Sequence, residues 1–247
     1  MLVDLQVHVG ESGLPLQAAL DRAAAIGLDG IVAVADDAVP KLPAQANGSV
    51  RVFAGAVVST DRGLYLTFFR APNEVPSLEE LFGPRRDGVW PVRDVMARTH
   101  AIGGAVVAVA PYDPTVAHPG GDILYTLPSL AAVQSISPAH PAAPVEPAIE
   151  AAECLGLPCV GGSGARHSVE EIGRGATLFA QALQNEQELV NALLAGACWP
   201  VEFSAPPTGL MQRGRGVAPP PKEASAGGPP PSAPAPEGER RRRRRRR

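Results

Sequence analysis

The chain has 247 residues, a 45% hydrophobic share and a mean hydropathy near zero, enough apolar material for one core of barrel size. Its longest apolar runs, Ile31–Ala35 and Ala105–Ala110, are far too short to span a bilayer, and no basic segment precedes Asp4, so neither a membrane span nor a signal peptide is expected. The net charge of −3 hides a division: residues 1–211 hold 11 Lys+Arg against 22 Asp+Glu, whereas residues 212–247 hold 11 against 3.

The first predicted element is a strand over Leu2–Val9, in which Gln6 and His8, two residues apart, share a face. Pro15 then opens a helix whose apolar residues Leu16, Leu20, Ala23 and Ala24 recur at helical spacing, and Gly27 is placed to end it. Gly30–Ala35 is a strand apolar on both faces, as in a parallel sheet covered by helices. Arg51–Ser59 and Leu64–Phe69 form a hairpin around Asp61-Arg62-Gly63. Residues 70–90 are Pro-rich and read as a loop with room for one helical turn.

Alternation then resumes. A helix over Val92–Ile102 stops at Gly103-Gly104, and Ala105–Ala110 is a buried strand. Strands follow at Ala131–Ile136, Leu157–Gly161 and Ala176–Phe179, with helices at Val145–Leu155 and Glu186–Ala195, the latter capped by Asn185. Short buried strands alternating with helices predict an α/β protein of barrel or doubly wound type, with functional groups at the carboxyl ends of the strands. Cys154, Cys159 and Cys198 are odd in number and lack C-x-x-C spacing, so they read as small buried hydrophobes in a reducing cytoplasm.

The pattern stops at Ser204. Residues 205–239 contain 10 Pro and 6 Gly, too little apolar surface to offset ordering entropy, and read as a disordered linker. The chain closes on Arg240, Arg241, Arg242, Arg243, Arg244, Arg245, Arg246 and Arg247. Such a run captures polyanions, namely RNA, DNA, an acidic protein or an anionic membrane surface. No aromatic residue interleaves with the arginines, so base stacking and sequence-specific reading are not expected. The alternatives are a tail that folds back on the acidic body or one that serves solubility.

Several stretches resemble the PHP (polymerase and histidinol phosphatase) family. They are Asp4-Leu-Gln-Val-His-Val9, Gly27-Leu-Asp-Gly-Ile31 leading to Ala35-Asp-Asp37, Val58-Ser-Thr-Asp-Arg-Gly63, Val107-Ala-Val-Ala-Pro-Tyr112, and Gly156–Ser163 running on to His167-Ser-Val-Glu-Glu-Ile-Gly-Arg174. The resemblance covers residues 1–203 and implies a distorted (β/α)7 TIM-type barrel over residues 1–204. In active members the cleft holds up to three metal ions for phosphoester hydrolysis.

Carried over residue by residue, that ligand set is mostly lost. Where the family has His-x-His, this chain has Gln6 and His8; where it has Asp-His, it has Ala35 and Asp36. An acidic ligand falls on Val57, a histidine on Ala110, and the late Asp-x-His on Gly164-Ala165-Arg166, with His167 one residue beyond. A multi-metal phosphatase needs converging imidazoles and carboxylates, which Val, Ala and Gly do not supply. His8, Asp36 and His167, with Asp4 or Asp37, remain as candidate ligands for one divalent ion. The remaining cleft candidates are Gln6, Asp37 and Arg166, the last a cation standing where a metal's charge has been lost.

Two smaller signals stay open at this level. Gly161-Gly-Ser-Gly164, near Arg166 and Arg174, reads either as a phosphate cradle or as a plain tight loop. His100, His118 and His140 have no partner at a telling spacing and read as exposed; Ser163 with His167 lacks the nucleophile elbow of a triad. The expectation is a pseudoenzyme: a PHP-like interaction scaffold tethered to nucleic acid by its tail. The alternatives are a residual single-metal phosphoesterase and a non-catalytic subunit of a nucleic-acid-processing complex.

Overall fold

The computed structural model describes residues 1–42, 49–127 and 129–203. The linker 205–239 and the arginines 240–247 lie outside the described residues. In chain order the elements are β1 (Leu2–His8), α1 (Leu16–Ile26), β2 (Gly30–Asp36), β3 (Arg51–Thr60), β4 (Gly63–Phe68), α2 (Leu78–Phe82), α3 (Val92–Ala101), β5 (Ala105–Val109), β6 (Ala132–Ile136), α4 (Val145–Leu155), β7 (Cys159–Gly161), β8 (Gly175–Phe179), α5 (Glu186–Ala195) and β9 (Cys198–Glu202). Short 3-10 turns lie at Pro72–Glu74, Gly121–Thr126 and Val169–Glu171.

The strands form one sheet in the order β7-β6-β5-β4-β3-β2-β1-β8-β9. The pairings make β1, β2, β3, β5, β6, β7 and β9 parallel to one another, with β4 and β8 reversed. The sheet curls until β7 lies alongside β8 and β9. No strand ladder closes that seam; the Thr177 hydroxyl does, accepting from the Gly161 N–H at 2.9 Å and donating to the Gly161 carbonyl at 2.7 Å. A Cβ on Gly161 would stand 2.4 Å from the Ala176 carbonyl, so only glycine lets the two edges approach this closely.

Alternation along each strand separates two apolar layers. Val32, Val34, Val107 and Val109 face the barrel interior, while Ile31 and Ala33 meet α1 and Val106 and Ala108 meet α3. One end of the interior is plugged by Leu189, Val190 and Leu193 of α5, packed with Val3, Phe53 and Ala105 near the starts of the parallel strands. Gly27, Gly156 and Gly196 end α1, α4 and α5 in the left-handed conformation that favours glycine.

The structure adds β9, which the sequence reading lacks, and the helical turn expected within the 70–90 loop is α2, preceded by a 3-10 turn. It also took all three cysteines as buried, whereas Cys154 on α4 is exposed. No helix among the described residues is long and apolar enough to cross a membrane.

Candidate functional site

At the carboxyl end of β1, the register against β2 shifts between Asp4 and Val7, so β1 is bulged there. Gln6 and His8, only 2% and 4% exposed, both line the cleft at this end of the barrel, as their spacing implies. Asp4 does not line it. Its buried carboxylate accepts from the Gln6 N–H inside the bulge at 3.2 Å, from Ser163 N–H at 2.8 Å and from Gly173 N–H at 2.9 Å. Asp4 therefore anchors the loop after β7. Its burial pushes its pKa up to about 6, against the pull of these hydrogen bonds.

A second carboxylate fixes the same loop. Glu171 Oε2 accepts the N–H groups of Arg166, His167 and Ser168 at 2.9, 3.2 and 3.4 Å. The glycine run is spent on packing in the same way. Gly161 N–H meets Thr177, Gly162 N–H meets the Ile136 carbonyl at 3.1 Å, and a Cβ on Gly164 would stand 2.4 Å from that of Ala139. With these N–H groups engaged and no α-helix directly behind them, the run is a tight loop rather than a phosphate cradle.

The loop delivers Arg166 to the centre of the site. Its guanidinium holds Asp36 bidentately, Nη1 to Oδ2 at 2.5 Å and Nη2 to Oδ1 at 2.7 Å. The same Nη2 lies 2.9 Å from His8 Nδ1. Burial first, and then the Arg166 charge, lower the His8 pKa to about 4, so its neutral ring accepts this bond. Hydrogen bonding from Arg166 holds the Asp36 carboxyl below its usual range despite partial burial. Asp36 and Val57 are partners in the β2–β3 register, so the strand beside the acid offers no donor.

These residues do not fit a metal ion. The two best candidate donors, His8 and Asp36, are occupied by one guanidinium, and among the described residues no group of three or more His, Cys, Asp or Glu is placed to hold a metal. His167 lines the cleft on an exposed loop but does not complete a cluster with them. Asp37 leaves the site altogether. With a φ of 51° it turns to accept from Ser59 N–H at 2.8 Å and from Arg85 at 2.6 Å, and Arg85 stacks 3.9 Å from the Trp90 ring centre.

Two groups that the sequence reading passed over also stand here. His140, taken there as partnerless, places Nδ1 2.7 Å from Asp113 Oδ2 and is mostly buried. Asp113 is 1% exposed, and its other oxygen accepts from both the N–H and the hydroxyl of Thr115. Burial raises its pKa, but the bonds from Thr115 and His140 outweigh this and hold it low. The second group is Gln134 on β6, whose amide nitrogen reaches Gln6, the Ile136 carbonyl and the Gly162 carbonyl at 3.2, 3.3 and 3.1 Å. Pro138, His140 and Pro141 line both the main cleft, about 480 Å³, and a smaller cavity of about 230 Å³ beside Gln134 and Ser137.

Residues 145–198, from the start of α4 to the start of β9, match a family model described as PHP-associated. No curated protein matches the chain. Among solved structures, a candidate metal-dependent phosphoesterase from Bifidobacterium adolescentis superposes with a TM-score of 0.51 at 13% identity, covering 78% of this chain and 96% of that one. A two-domain protein from Bacteroides vulgatus containing a predicted PHP-like metal-dependent phosphoesterase gives 0.56 at 14% identity; the match covers 81% of this chain and 64% of that protein. At such identities the likeness is one of fold. The matched segment is thus PHP-associated, and the fold is one shared with these two solved structures.

Proposed function

We propose that this chain is a catalytically degenerate PHP-like protein, an interaction scaffold whose cleft is organised by an arginine in place of metal ions. The observation that carries the reading is the Arg166 guanidinium, which engages both Asp36 oxygens and His8 together. A guanidinium is permanently charged and geometrically matched to a carboxylate, so it neutralises the acid that a metal would otherwise bind. A residual phosphoesterase using His8, Asp36 and His167 would first have to break this clasp.

The second part of the proposal concerns Arg240–Arg247, which tether the barrel to a polyanion, with nucleic acid the foremost partner and a nucleic-acid-processing complex the natural setting. The supporting facts are the eight contiguous arginines and the acidic balance of residues 1–211. If about six to eight phosphates are neutralised, log K falls with log salt at a slope of about −4 to −7. The test is a salt titration on labelled RNA and DNA, comparing the full chain with one in which the eight arginines are replaced by serine. The replaced chain should lose binding, and scrambling the nucleic-acid sequence should change little. Equal binding by the replaced chain would move the tether to the barrel.

A further inference from the structure

Buried polar side-chain atoms without a hydrogen-bond partner are few in folded proteins, and each calls for a water, an ion or a ligand. Four such atoms belong to residues lining the two cavities that share His140: Gln134 Oε1, Ser135 Oγ and Ser137 Oγ on the smaller cavity, and Arg174 Nε on the main cleft. Gln134 is 1% exposed, and its nitrogen already faces three carbonyl oxygens, so the amide cannot be turned over to satisfy Oε1.

Arg174 is the most telling of the four. Its backbone is fixed on both sides, N–H to the Glu171 carbonyl at 3.2 Å and carbonyl to the Phe203 N–H at 3.0 Å. Its guanidinium lines the cleft with no hydrogen-bond or ion-pair partner among the described residues. The acids nearest at hand are already engaged. Asp36 is clasped by Arg166, and Glu171 accepts three backbone N–H groups. A partly buried cation without a counter-ion calls for an anion from outside the chain.

The neighbouring groups define the rest of the ligand. Asp113 takes the His140 Nδ1 side, which leaves Nε2 as the ring's free nitrogen between the two cavities. Gln134 Oε1 can only accept, Ser137 can donate or accept, and the free ring nitrogen of His140 is a further polar partner. Such a set matches hydroxyl groups. The main cleft, at about 480 Å³, falls within the roughly 300–1,000 Å³ range of small-molecule sites.

We propose that the cleft and the smaller cavity that shares His140 with it together bind a small anionic polyol without a metal ion, its phosphate or carboxylate on Arg174 and its hydroxyls on His140 Nε2, Ser137 and Gln134 Oε1. The inference rests on the reading of the cleft as an arginine-organised site rather than a metal centre.

Calorimetric titration of the full chain in the presence of EDTA tests it, with ribose 5-phosphate, gluconate and inorganic phosphate as probes. The first two separate a phosphate from a carboxylate anchor; the third lacks the hydroxylated head. At least one polyol should bind with one-to-one stoichiometry and more tightly than inorganic phosphate. Arg174→Gln should weaken it roughly 10- to 100-fold, the loss of one charge-assisted contact, and Ser137→Ala a few-fold, at about one neutral hydrogen bond. Arg174→Lys should fall between Arg174→Gln and the unaltered chain, which separates a lost contact from a lost fold. The C-terminal arginines are common to all variants, so affinity unchanged by Arg174→Gln would place the anion on the tail and overturn the proposal. So would failure of both polyols to exceed inorganic phosphate. Binding that appears only when Mn²⁺ replaces EDTA would overturn the arginine-organised reading itself.

Discussion

The two ends of the barrel follow opposite rules. At the α5 end, Leu189, Val190 and Leu193 are fully buried against Val3, Phe53 and Ala105. At the other end two arginines, three histidines and two acids share one cleft, with Gln134 Oε1 and Ser137 Oγ left unpaired beside it. Each buried polar group without a partner costs about 1–3 kcal/mol, a cost that the apolar end avoids. The comparison separates the element that supplies stability from the one that retains chemistry. Variants at the two ends should therefore fail in different ways.

The largest effect belongs to the plug. Leu193→Ala removes a fully buried side chain and should cost about 2–5 kcal/mol in denaturant unfolding, with the cleft's anion affinity unchanged in the folded protein. A cost below about 1 kcal/mol would mean that the end can collapse around the cavity and is not the stabilising element.

Next comes an acid response at the open end. His8 has its pKa lowered by burial and by Arg166 from 6.5 to about 4, so the unfolded chain takes up a proton at this residue before the folded chain does. Its contribution to stability thus falls as pH drops from 6.5 to 4, by at most about 3 kcal/mol. Asp4 works the other way. Its pKa rises from 3.8 to about 6, so its contribution is fully present below 3.8 and is lost as pH rises through 6. His8→Asn should leave the Asp4 slope alone, and the variant should gain stability relative to the unaltered chain as pH falls from 6.5 to 4. Parallel stability curves for the two proteins would show that His8 is not held neutral by the fold.

Arg166→Ala should have the smallest effect. Asp36 keeps 45% of its side chain exposed and Arg166 27%, so solvent screens the pair. The expected loss is about 1–2 kcal/mol by thermal unfolding, between the values for exposed and buried pairs. A loss of 3–5 kcal/mol would show that the open end is as dry as the plug.

Much of the fold was legible in the sequence, and the reasons are local. The bounds of α4 and α5 match the expected Val145–Leu155 and Glu186–Ala195, because Pro144, Asn185, Gly156 and Gly196 mark them. β9 was hidden by Pro200 in its middle, which is tolerated because β9 pairs by hydrogen bonds only with β8 and is an edge strand. Arg166 could be matched to a lost ligand position, and the structure places it on Asp36, 130 residues away. Asp113 and His140 could not be matched, since they lie 27 residues apart in Pro-rich loops and meet only when the ends of β5 and β6 converge. Asp37 was grouped with Asp36, yet strand alternation alone would have sent it to the opposite face.

The measurement that bears most directly on the central claim is the metal content of the purified full-length chain. It should be taken after exposure to Zn²⁺, Mn²⁺ and Fe²⁺ and removal of free ions, alongside an assay with simple phosphoesters. A cleft organised by Arg166 predicts well under one equivalent of bound metal and no turnover. Two or more tightly held ions, with phosphoesterase activity that disappears in His8→Ala, would contradict it.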